Sequence, residues 1–351
     1  GINWIKIGDT SDSMYITETA QKIIVEGMKK SRYVKPGDFL LSNSMSFGRP
    51  YILKIDGCIH DGWLVLRDEN ALFDKRFLYY YLSSKTTYKK LKSMAVGGVV
   101  NNLNSEMVRN VIVPVPDKEE QSEIADLFDK IKKILDDRKQ ELEQLDTLVK
   151  SRFAEMFGDI SDDEKKTMAD ICTIITDGTH QPPKFVSEGI PFLFVSNIVT
   201  NEISYDTQKF ISEETYAKLI KRTPIEIGDI LLSTVGSYGH PAVVKKEKPF
   251  CFQRHIAYLK PNADMVDSEY LRGAILSADV QRQIDEGVKG IAQKTLNLSE
   301  IRKIKLPLPP IDRQKQFAAF VAQTDKSKSK IQKSLEETQL LFDSLMQKYF
   351  G

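Results

Sequence analysis

Four short segments in the second half of the chain carry side chains that could do chemistry. They read TDGTHQPPK from Thr176, STVGSYGH from Ser233, CFQRH from Cys251 and KGIAQK from Lys289. Arg, Gln, His and Lys on loops present hydrogen-bond donors and acceptors of the kind that read base edges in a DNA groove. Lysines and hydroxyls beside them suit phosphate oxygens. These segments therefore predict a DNA-binding surface.

The candidate residues divide by expected partner. Base contact is expected from His180, Gln253, Arg254 and His255. Phosphate contact is expected from Lys184, Ser233, Thr234, Lys289 and Lys294. Thr179, Gln181 and Tyr238 complete the predicted set in this half of the chain. For each of them the alternative is a solvated polar side chain on a loop, which has equal weight.

Catalytic and metal-binding motifs are not found. The chain has no glycine-rich phosphate loop ending in Lys-Ser/Thr, no Asn-Pro-Pro-aromatic methyltransferase motif and no paired-glycine dinucleotide fingerprint. The acidic run PDKEE from Pro116 suits a helix start better than a nuclease site. The four histidines lack the Cys or carboxylate spacing of a zinc site. We expect no catalysis, no metal and no cofactor.

Length and composition are those of a globular protein with more than one domain. The chain has 351 residues, 41% of them apolar and 28% charged, with a net charge of +1 that neither requires nor excludes nucleic acid. Three cysteines, Cys58, Cys172 and Cys251, fit no metal spacing and are expected to be reduced. No signal peptide or membrane span is recognised, so a cytoplasmic location is expected.

The elements that position the candidate residues are present twice. VIVPVP from Val111 recurs as IKLPLP from Ile304, 193 positions later, and GDFLLS from Gly37 recurs as GDILLS from Gly228, 191 positions later. The offset of 193 also pairs Cys58 with Cys251, Gln121 with Gln314 and Gly158 with Gly351. The change of offset falls in a turn, where insertions are tolerated.

The repeat extends the predicted DNA-binding set to the first copy. Asn43, Ser44, Arg49, His60 and Asp61 occupy the positions that correspond to the candidate loops of the second copy. Because the residues differ on one scaffold, the two copies are expected to read different DNA sequences.

Each copy changes from β-rich segments to one long helix. Apolar residues from Ile124 to Met156 fall mostly in steps of three and four, and the second copy repeats this from Phe317 to Tyr349. A helix of about 40 residues at ~1.5 Å per residue is roughly 60 Å long. Since neither helix can bury its apolar stripe alone, we expect an antiparallel pair with an imperfect seam. Stacked helical hairpins within separate domains are the alternative.

These features resemble the specificity subunit of type I restriction-modification systems. The resemblance is carried by VPVPDKEEQSEIADLFDKI from Val113, LPLPPIDRQKQFAAFVAQT from Leu306 and VKGIAQKTLNLSEIRKIKLPLP from Val288. It implies two target recognition domains, each reading half of a bipartite asymmetric DNA site. It also implies that the helices act as spacer and docking surface for two methyltransferase subunits and, through them, for endonuclease/translocase subunits.

The predicted fold class is α+β with an internal tandem repeat. Two mixed α/β target recognition domains are separated by two long antiparallel helices that form a coiled-coil spacer. We expect recognition domains at residues 1–116 and 159–309, and spacer helices at 117–158 and 310–351.

The two copies differ at their start. ADICTIITDGTHQPP from Ala169 resembles the family's opening strand and DNA-side loop, and the first copy has no counterpart, so its opening segment is expected to be missing. Two other functions remain open. A coiled-coil scaffold with protein-binding ends is the main alternative, and a stand-alone nuclease or methyltransferase is disfavoured by the motifs.

Overall fold

The computed structural model describes residues 1–43, 48–95, 102–161, 165–290 and 294–351. They form two compact units: Gly1–Gln140 with Gln332–Gly351, and Glu141–Ile331. Each unit thus combines one mixed α/β region with portions of both long helices. Among the described residues, no helix is long and apolar enough to cross a membrane.

The α/β part of the first unit contains two four-stranded sheets. Its strands are β1 Ile2–Ile5, β2 Tyr15–Ile16, β3 Gln21–Ile23, β4 Arg32–Val34, β5 Phe39–Ser42, β6 Pro50–Leu53, β7 Gly57–Ile59 and β8 Trp63–Leu66. Its helices are α1 Val25–Met28, α2 Lys75–Ser83, α3 Lys85–Ala95 and α4 Ser105–Arg109, with a short 3-10 turn at Ile7–Asp9. The sheet orders are β3-β1-β7-β4 and β2-β6-β5-β8. The first long helix, α5 Lys118–Phe157, follows.

The second α/β part has sheets of four, three and two strands. Its strands are β9 Lys165–Thr167, β10 Cys172–Asp177, β11 Ile190–Leu193, β12 Phe210–Ile211, β13 Ile230–Ser233, β14 Pro241–Val243, β15 Cys251–Phe252, β16 Ile256–Pro261 and β17 Lys305–Pro307. Its helices are α6 Met168–Ile171, α7 Glu213–Leu219, α8 Ser268–Ile275, α9 Ala278–Gly287, α10 Leu298–Lys303 and the second long helix, α11 Ile311–Phe350. A 3-10 turn lies at Val195–Asn197. The sheet orders are β10-β16-β13-β14, β12-β11-β15 and β17-β9.

The sequence repeat is reproduced in strand register. Trp4 pairs with Cys58 in parallel strands β1 and β7, and Phe192 pairs with Cys251 in parallel strands β11 and β15. The antiparallel pair Leu41 with Pro50 recurs as Leu232 with Pro241. The units differ at one edge, because β16 pairs with both β13 and β10, whereas β8 pairs with β5 alone among the described strands.

Both long helices contain 40 residues, close to the bounds expected from the sequence. The Asp117 carboxylate accepts the Glu120 N–H at 2.8 Å and so caps the start of α5. At the other end the Gly158 N–H donates to the Ala154 carbonyl at 2.8 Å, just beyond the last helical residue. The cap and the stop therefore follow from the residues on either side of the apolar stripe.

Aromatic side chains join the long helices to each α/β part. In the second unit, Phe317 of α11 lies 5.4 Å from Phe153 of α5 and 6.5 Å from Tyr270 of α8, measured between ring centroids. Near the same end Phe157 lies 5.9 Å from Phe317, while farther along Lys328 pairs with Asp146 at 2.7 Å, so these helix portions run antiparallel. The first unit has a corresponding cluster made by Phe77 of α2, Phe128 of α5, and Phe342 and Phe350 of α11.

The glutamine of the repeated Pro-x-Pro-x-x-x-x-Gln motif is buried and connects three backbone groups through its side-chain amide. The side chain of Gln314 is fully buried; its amide donates to the carbonyls of Met265 and Pro309 at 3.1 and 2.7 Å and accepts the Asp267 N–H at 2.9 Å. Asp267 is the N-cap of α8, so the amide fixes the start of α8 to α11. Gln121 makes the same three bonds in the first unit, with Leu72, Pro116 and Asp74.

Candidate DNA-binding surface

Two of the candidate loops of the second unit are joined through their backbones. The Thr179 N–H donates to the Phe252 carbonyl at 2.9 Å, and the Arg254 N–H donates to the Thr179 carbonyl at 3.0 Å. Gly178, between β10 and this contact, lies against the backbone of the other loop. The segments that start at Thr176 and Cys251 therefore come together, although more than 70 residues separate them in the sequence.

The other two candidate loops are bonded to this pair of loops through their backbones. The Thr234 N–H donates to the His255 carbonyl at 3.0 Å, and the Leu296 N–H donates to the Thr234 carbonyl at 2.8 Å. The Gly236 N–H donates to the Lys294 carbonyl at 3.2 Å. The described residues of all four segments are thus connected through backbone hydrogen bonds and lie on one face of the second unit.

Gly178→Ala tests how closely these loops approach. A Cβ at this position would lie 2.5 Å from the carbonyl oxygen of Gln253 and in steric conflict with that of Phe252, so the two loops would have to separate. We expect a loss of about 1–3 kcal/mol of stability from this overpacking, seen as faster hydrogen exchange in both loops. Gly8→Ala is the control because a Cβ there meets nothing within 4 Å. Equal exchange in the two variants would contradict the described contact.

Arg254 and His255 form a side-chain pair on this surface. Nε of Arg254 donates to Nε2 of His255 at 3.3 Å. Burial and the positive charge of Arg254 lower the pKa of His255 below its ordinary 6.5. The imidazole is therefore neutral at pH 7, with Nε2 as acceptor and Nδ1 carrying the proton. It restrains an Arg side chain that is otherwise exposed.

The Arg254–His255 pair predicts a pH dependence. Because the pKa of His255 is lowered in the folded chain, the hydrogen bond is present above pH 6.5 and is lost as the pH falls through the lowered value. Protonation adds a positive charge, which strengthens sequence-independent attraction to DNA. We expect the preference for target over non-target DNA to decrease between pH 7 and 5 while non-target binding rises, as measured by fluorescence anisotropy at constant salt. A His255→Gln variant should remove the change in preference.

The remaining candidates of the second unit differ in exposure. His180, Gln181, Lys184, Lys289 and Lys294 are exposed, and Thr179, Tyr238 and Gln253 are half-buried. The Tyr238 hydroxyl donates to Asp285 at 2.9 Å, and Nζ of Lys294 lies 6.0 Å from the centre of the Tyr238 ring. These residues are placed where DNA contact is possible, and their roles stay predictions.

Ser233 and Thr234 have a different environment from the one expected for phosphate contact. Ser233 is 0% exposed and Thr234 is 5% exposed. The Ser233 hydroxyl accepts the His240 N–H at 2.9 Å, and Ser42 accepts the Arg49 N–H at 3.0 Å in the first unit. In both units this hydroxyl closes a turn, so the structure gives Ser233 a role in holding the loop and leaves its contact with phosphate without support.

The first unit repeats the scaffold with other residues. The Asn43 N–H donates to the Gly62 carbonyl at 3.0 Å, and the Leu103 N–H donates to the Asn43 carbonyl at 3.0 Å, which matches the bonds of Thr234 with His255 and Leu296. The Asn43 amide also donates to the Asp61 carbonyl at 2.8 Å. Ser44 lies outside the described residues.

The side chains that this scaffold presents are unlike those of the second unit. Nδ1 of His60 accepts the Gly62 N–H at 2.7 Å, which orients the imidazole. The Asp61 side chain is fully exposed, and Arg49 is exposed. Where the second unit has Gln, Arg and His, the first has His, Asp and Gly. An exposed Asp accepts hydrogen bonds, for example from the cytosine amino group, and does not bind phosphate.

Two residues that sequence reasoning did not select lie on the same surface. Asp177, at the end of β10, pairs with His180 at 2.9 Å and with the Arg222 guanidinium. Arg222 follows α7 and lies 45 residues from Asp177 in the sequence. No motif or repeat connects these two positions, so only the fold reveals the pair.

The cysteine thiols and the possible metal ligands were considered in the part of the chain that is described. Burial raises the pKa of both Cys172 and Cys251 to about 12, so these thiols are protonated at neutral pH. Among the described residues, no group of three or more His, Cys, Asp or Glu side chains is placed to hold a metal ion.

The chain matches the type I restriction modification DNA specificity domain over residues 1–145 and again over 160–338. It belongs to this family, and its two α/β parts fall in the two matched regions. The coiled-coil scaffold with protein-binding ends is not favoured, because both matched regions are DNA specificity domains.

Relatives from a bacterium and an archaeon are specificity subunits of type I restriction enzymes. The chain is 24% identical to the type I restriction enzyme EcoBI specificity subunit of Escherichia coli, over 79% of this chain and 65% of that protein. It is 21% identical to the MjaVIII specificity subunit of Methanocaldococcus jannaschii, over 89% of this chain and 77% of that protein. The chain thus spans just under two thirds of the first of these relatives.

Two solved structures share the fold. The type I restriction-modification S subunit from M. genitalium aligns with a TM-score of 0.56 at 15% identity, covering 100% of this chain and 92% of that one. A chain from a study of complex assembly and conformational transition of the type I R-M system aligns with a TM-score of 0.56 at 17% identity, covering 91% and 83%.

Proposed function

We propose that this chain reads a split, asymmetric DNA site, with the loops of each unit binding one half, and that it has no catalytic activity. One observation carries the proposal. Corresponding backbone hydrogen bonds hold Asn43 in the first unit and Thr234 in the second, while the side chains presented by the neighbouring loops differ. A constant scaffold with variable residues is suited to reading two unlike sequences by base-edge contacts.

The long helices are proposed as an antiparallel coiled-coil spacer. A helix of 40 residues at ~1.5 Å per residue is roughly 60 Å long. At ~3.4 Å per base pair, this length limits the separation of the two half-site centres to about 17 base pairs. The helices also serve as the docking surface for two methyltransferase subunits and, through these, for endonuclease subunits. Family membership supports these partners.

Arg254→Ala is the first test of the reading function. Arg254 is exposed, bonded to His255 through its side chain and bonded through its N–H to Thr179 of a second candidate loop. If the guanidinium binds a base edge, its removal should relax one half-site only, at a cost of about 1–3 kcal/mol. The measurement compares affinities of the chain with its methyltransferase partners for duplexes altered in either half.

The matched control for Arg254→Ala is Arg282→Ala. Arg282 is exposed on α9 and pairs with Asp279 and Glu286. Its substitution therefore removes an equal charge outside the candidate loops. Equal weakening on every DNA sequence by Arg254→Ala would instead assign Arg254 to a phosphate.

A further inference from the structure

The Asp177 carboxylate contacts the side chains of His180 and Arg222, which belong to different segments of the chain. Its Oδ2 is 2.9 Å from Nε2 of His180, and its Oδ1 accepts a hydrogen bond from the Arg222 guanidinium. Only 16% of the Asp177 side chain is exposed, against 54% for His180 and 52% for Arg222. The carboxylate therefore lies beneath two groups that reach solvent. We call Asp177, His180 and Arg222 the Asp177 clamp.

The Asp177 clamp is part of the surface on which the four loops meet. Asp177 is followed at once by Gly178 and Thr179, whose backbones are bonded to the strand and loop that contain Ile256 and Phe252. Arg222 also lies 3.4 Å from the Thr176 hydroxyl, on the preceding residue of β10. Arg222 is thus held at the edge of the candidate loops from outside all four of them.

We propose that Arg222 contacts a DNA phosphate beside the second half-site and that Asp177 is the positioning residue for both Arg222 and His180. This inference rests on the proposed function. One terminal nitrogen of Arg222 is already bonded to Asp177, so fewer of its N–H groups remain for DNA. The remaining donors suit a single phosphate oxygen better than a bidentate contact with guanine. Nε2 of His180 lies 2.9 Å from Oδ2 of the same carboxylate, so one acidic group contacts both side chains.

The sign of the effect of Asp177 separates positioning from charge. Asp177→Asn removes one negative charge from a DNA-binding surface, and electrostatics alone predicts tighter binding to all DNA. Positioning predicts the opposite for the target. An Asn amide is uncharged and has a single acceptor oxygen, so it holds Arg222 and His180 less firmly than the carboxylate does.

The test uses the full chain with its methyltransferase partners and two duplexes, one carrying the mapped site and one with its second half-site scrambled. Asp177→Asn should weaken binding to the mapped site about five- to tenfold and weaken binding to the scrambled duplex less, because the phosphate contact of Arg222 is common to both duplexes whereas a base contact of His180 is made only on the mapped site. Asp206→Asn is the charge-matched control, since Asp206 is exposed in the same unit and outside the Asp177 clamp. Tighter binding of Asp177→Asn to both duplexes would overturn the positioning role.

Arg222→Ala is the second variant and decides the matter if Asp177→Asn does not fold. It should weaken binding to both duplexes and make the slope of log affinity against log salt concentration shallower by about 0.9, as expected for one lost phosphate contact. Arg222→Lys should retain the slope. An unchanged slope in Arg222→Ala would overturn the phosphate contact. A wild-type complex that does not distinguish the two duplexes would instead refute the proposed function, so the two failures are distinguishable.

Discussion

Gln314→Ala is expected to lower the free energy of unfolding of the second unit by about 3–5 kcal/mol, because it leaves three buried or partly buried backbone groups without their partner. Two carbonyls, of Met265 and Pro309, lose their donor, and the N–H of Asp267 loses its acceptor. Water cannot easily replace the amide, since Gln314 is fully buried. Hydrogen exchange measured by mass spectrometry should show faster exchange at the start of α8 and little change in the first unit.

Two further variants separate the hydrogen bonds of Gln314 from its packing. Gln314→Met keeps most of the volume and none of the three bonds, so it should be nearly as destabilising as Gln314→Ala. Gln332→Ala, at an exposed position of the same helix, should have little effect. Gln121→Ala should reproduce the result in the first unit, where the bonds are the same. A mild effect at both positions would mean that the glutamines do not fix the helix starts.

Phe317→Ala is expected to destabilise the second unit by about 3–5 kcal/mol through the cavity it leaves. Phe317 is 0% exposed and packs with Phe153, Phe157 and Tyr270. It also fills the space above Gly273, where a Cβ would lie 2.5 Å from its ring. The loss of stability is measured by urea denaturation followed by far-UV circular dichroism, together with proteolysis of the second unit.

Leu340→Ala serves as the control for Phe317→Ala. Leu340 is on the same helix and 71% exposed, so its truncation removes few contacts. Comparable destabilisation by the two variants would contradict the view that aromatic contacts at Phe317 attach α8 and α5 to α11.

The repeat made much of the fold predictable. The offset of 191 residues relates the pair Leu41–Pro50 to Leu232–Pro241, and the offset of 193 relates Cys58 to Cys251, each of which lies at the corresponding place in the sheets of the second unit. The bounds of the first long helix were also predictable, because its cap at Asp117 and its end before Gly158 depend on residues close in sequence. Family membership was indicated by the same segments.

Features made by distant residues were not predictable. The burial of Ser233 depends on how β13 packs and could not be read from its place in a loop segment, while its contact with phosphate stays a prediction. The hydrogen bonds of Gln314 connect it to residues 47 and 49 positions away in the sequence, and Asp177 pairs with Arg222, which is 45 positions away. A charge cluster around Lys245, which pairs with Glu202, Glu269 and Asp325, likewise joins α11 to the α/β part without a local signal.

The measurement that tests the central claim most directly is a genome-wide map of methylated adenines with and without this gene. The proposed function predicts that methylation at one split site disappears when the gene is removed. That site should have two unlike halves whose centres are no more than about 17 base pairs apart. An unchanged map, or a lost site that is continuous or has two identical halves, would contradict the account.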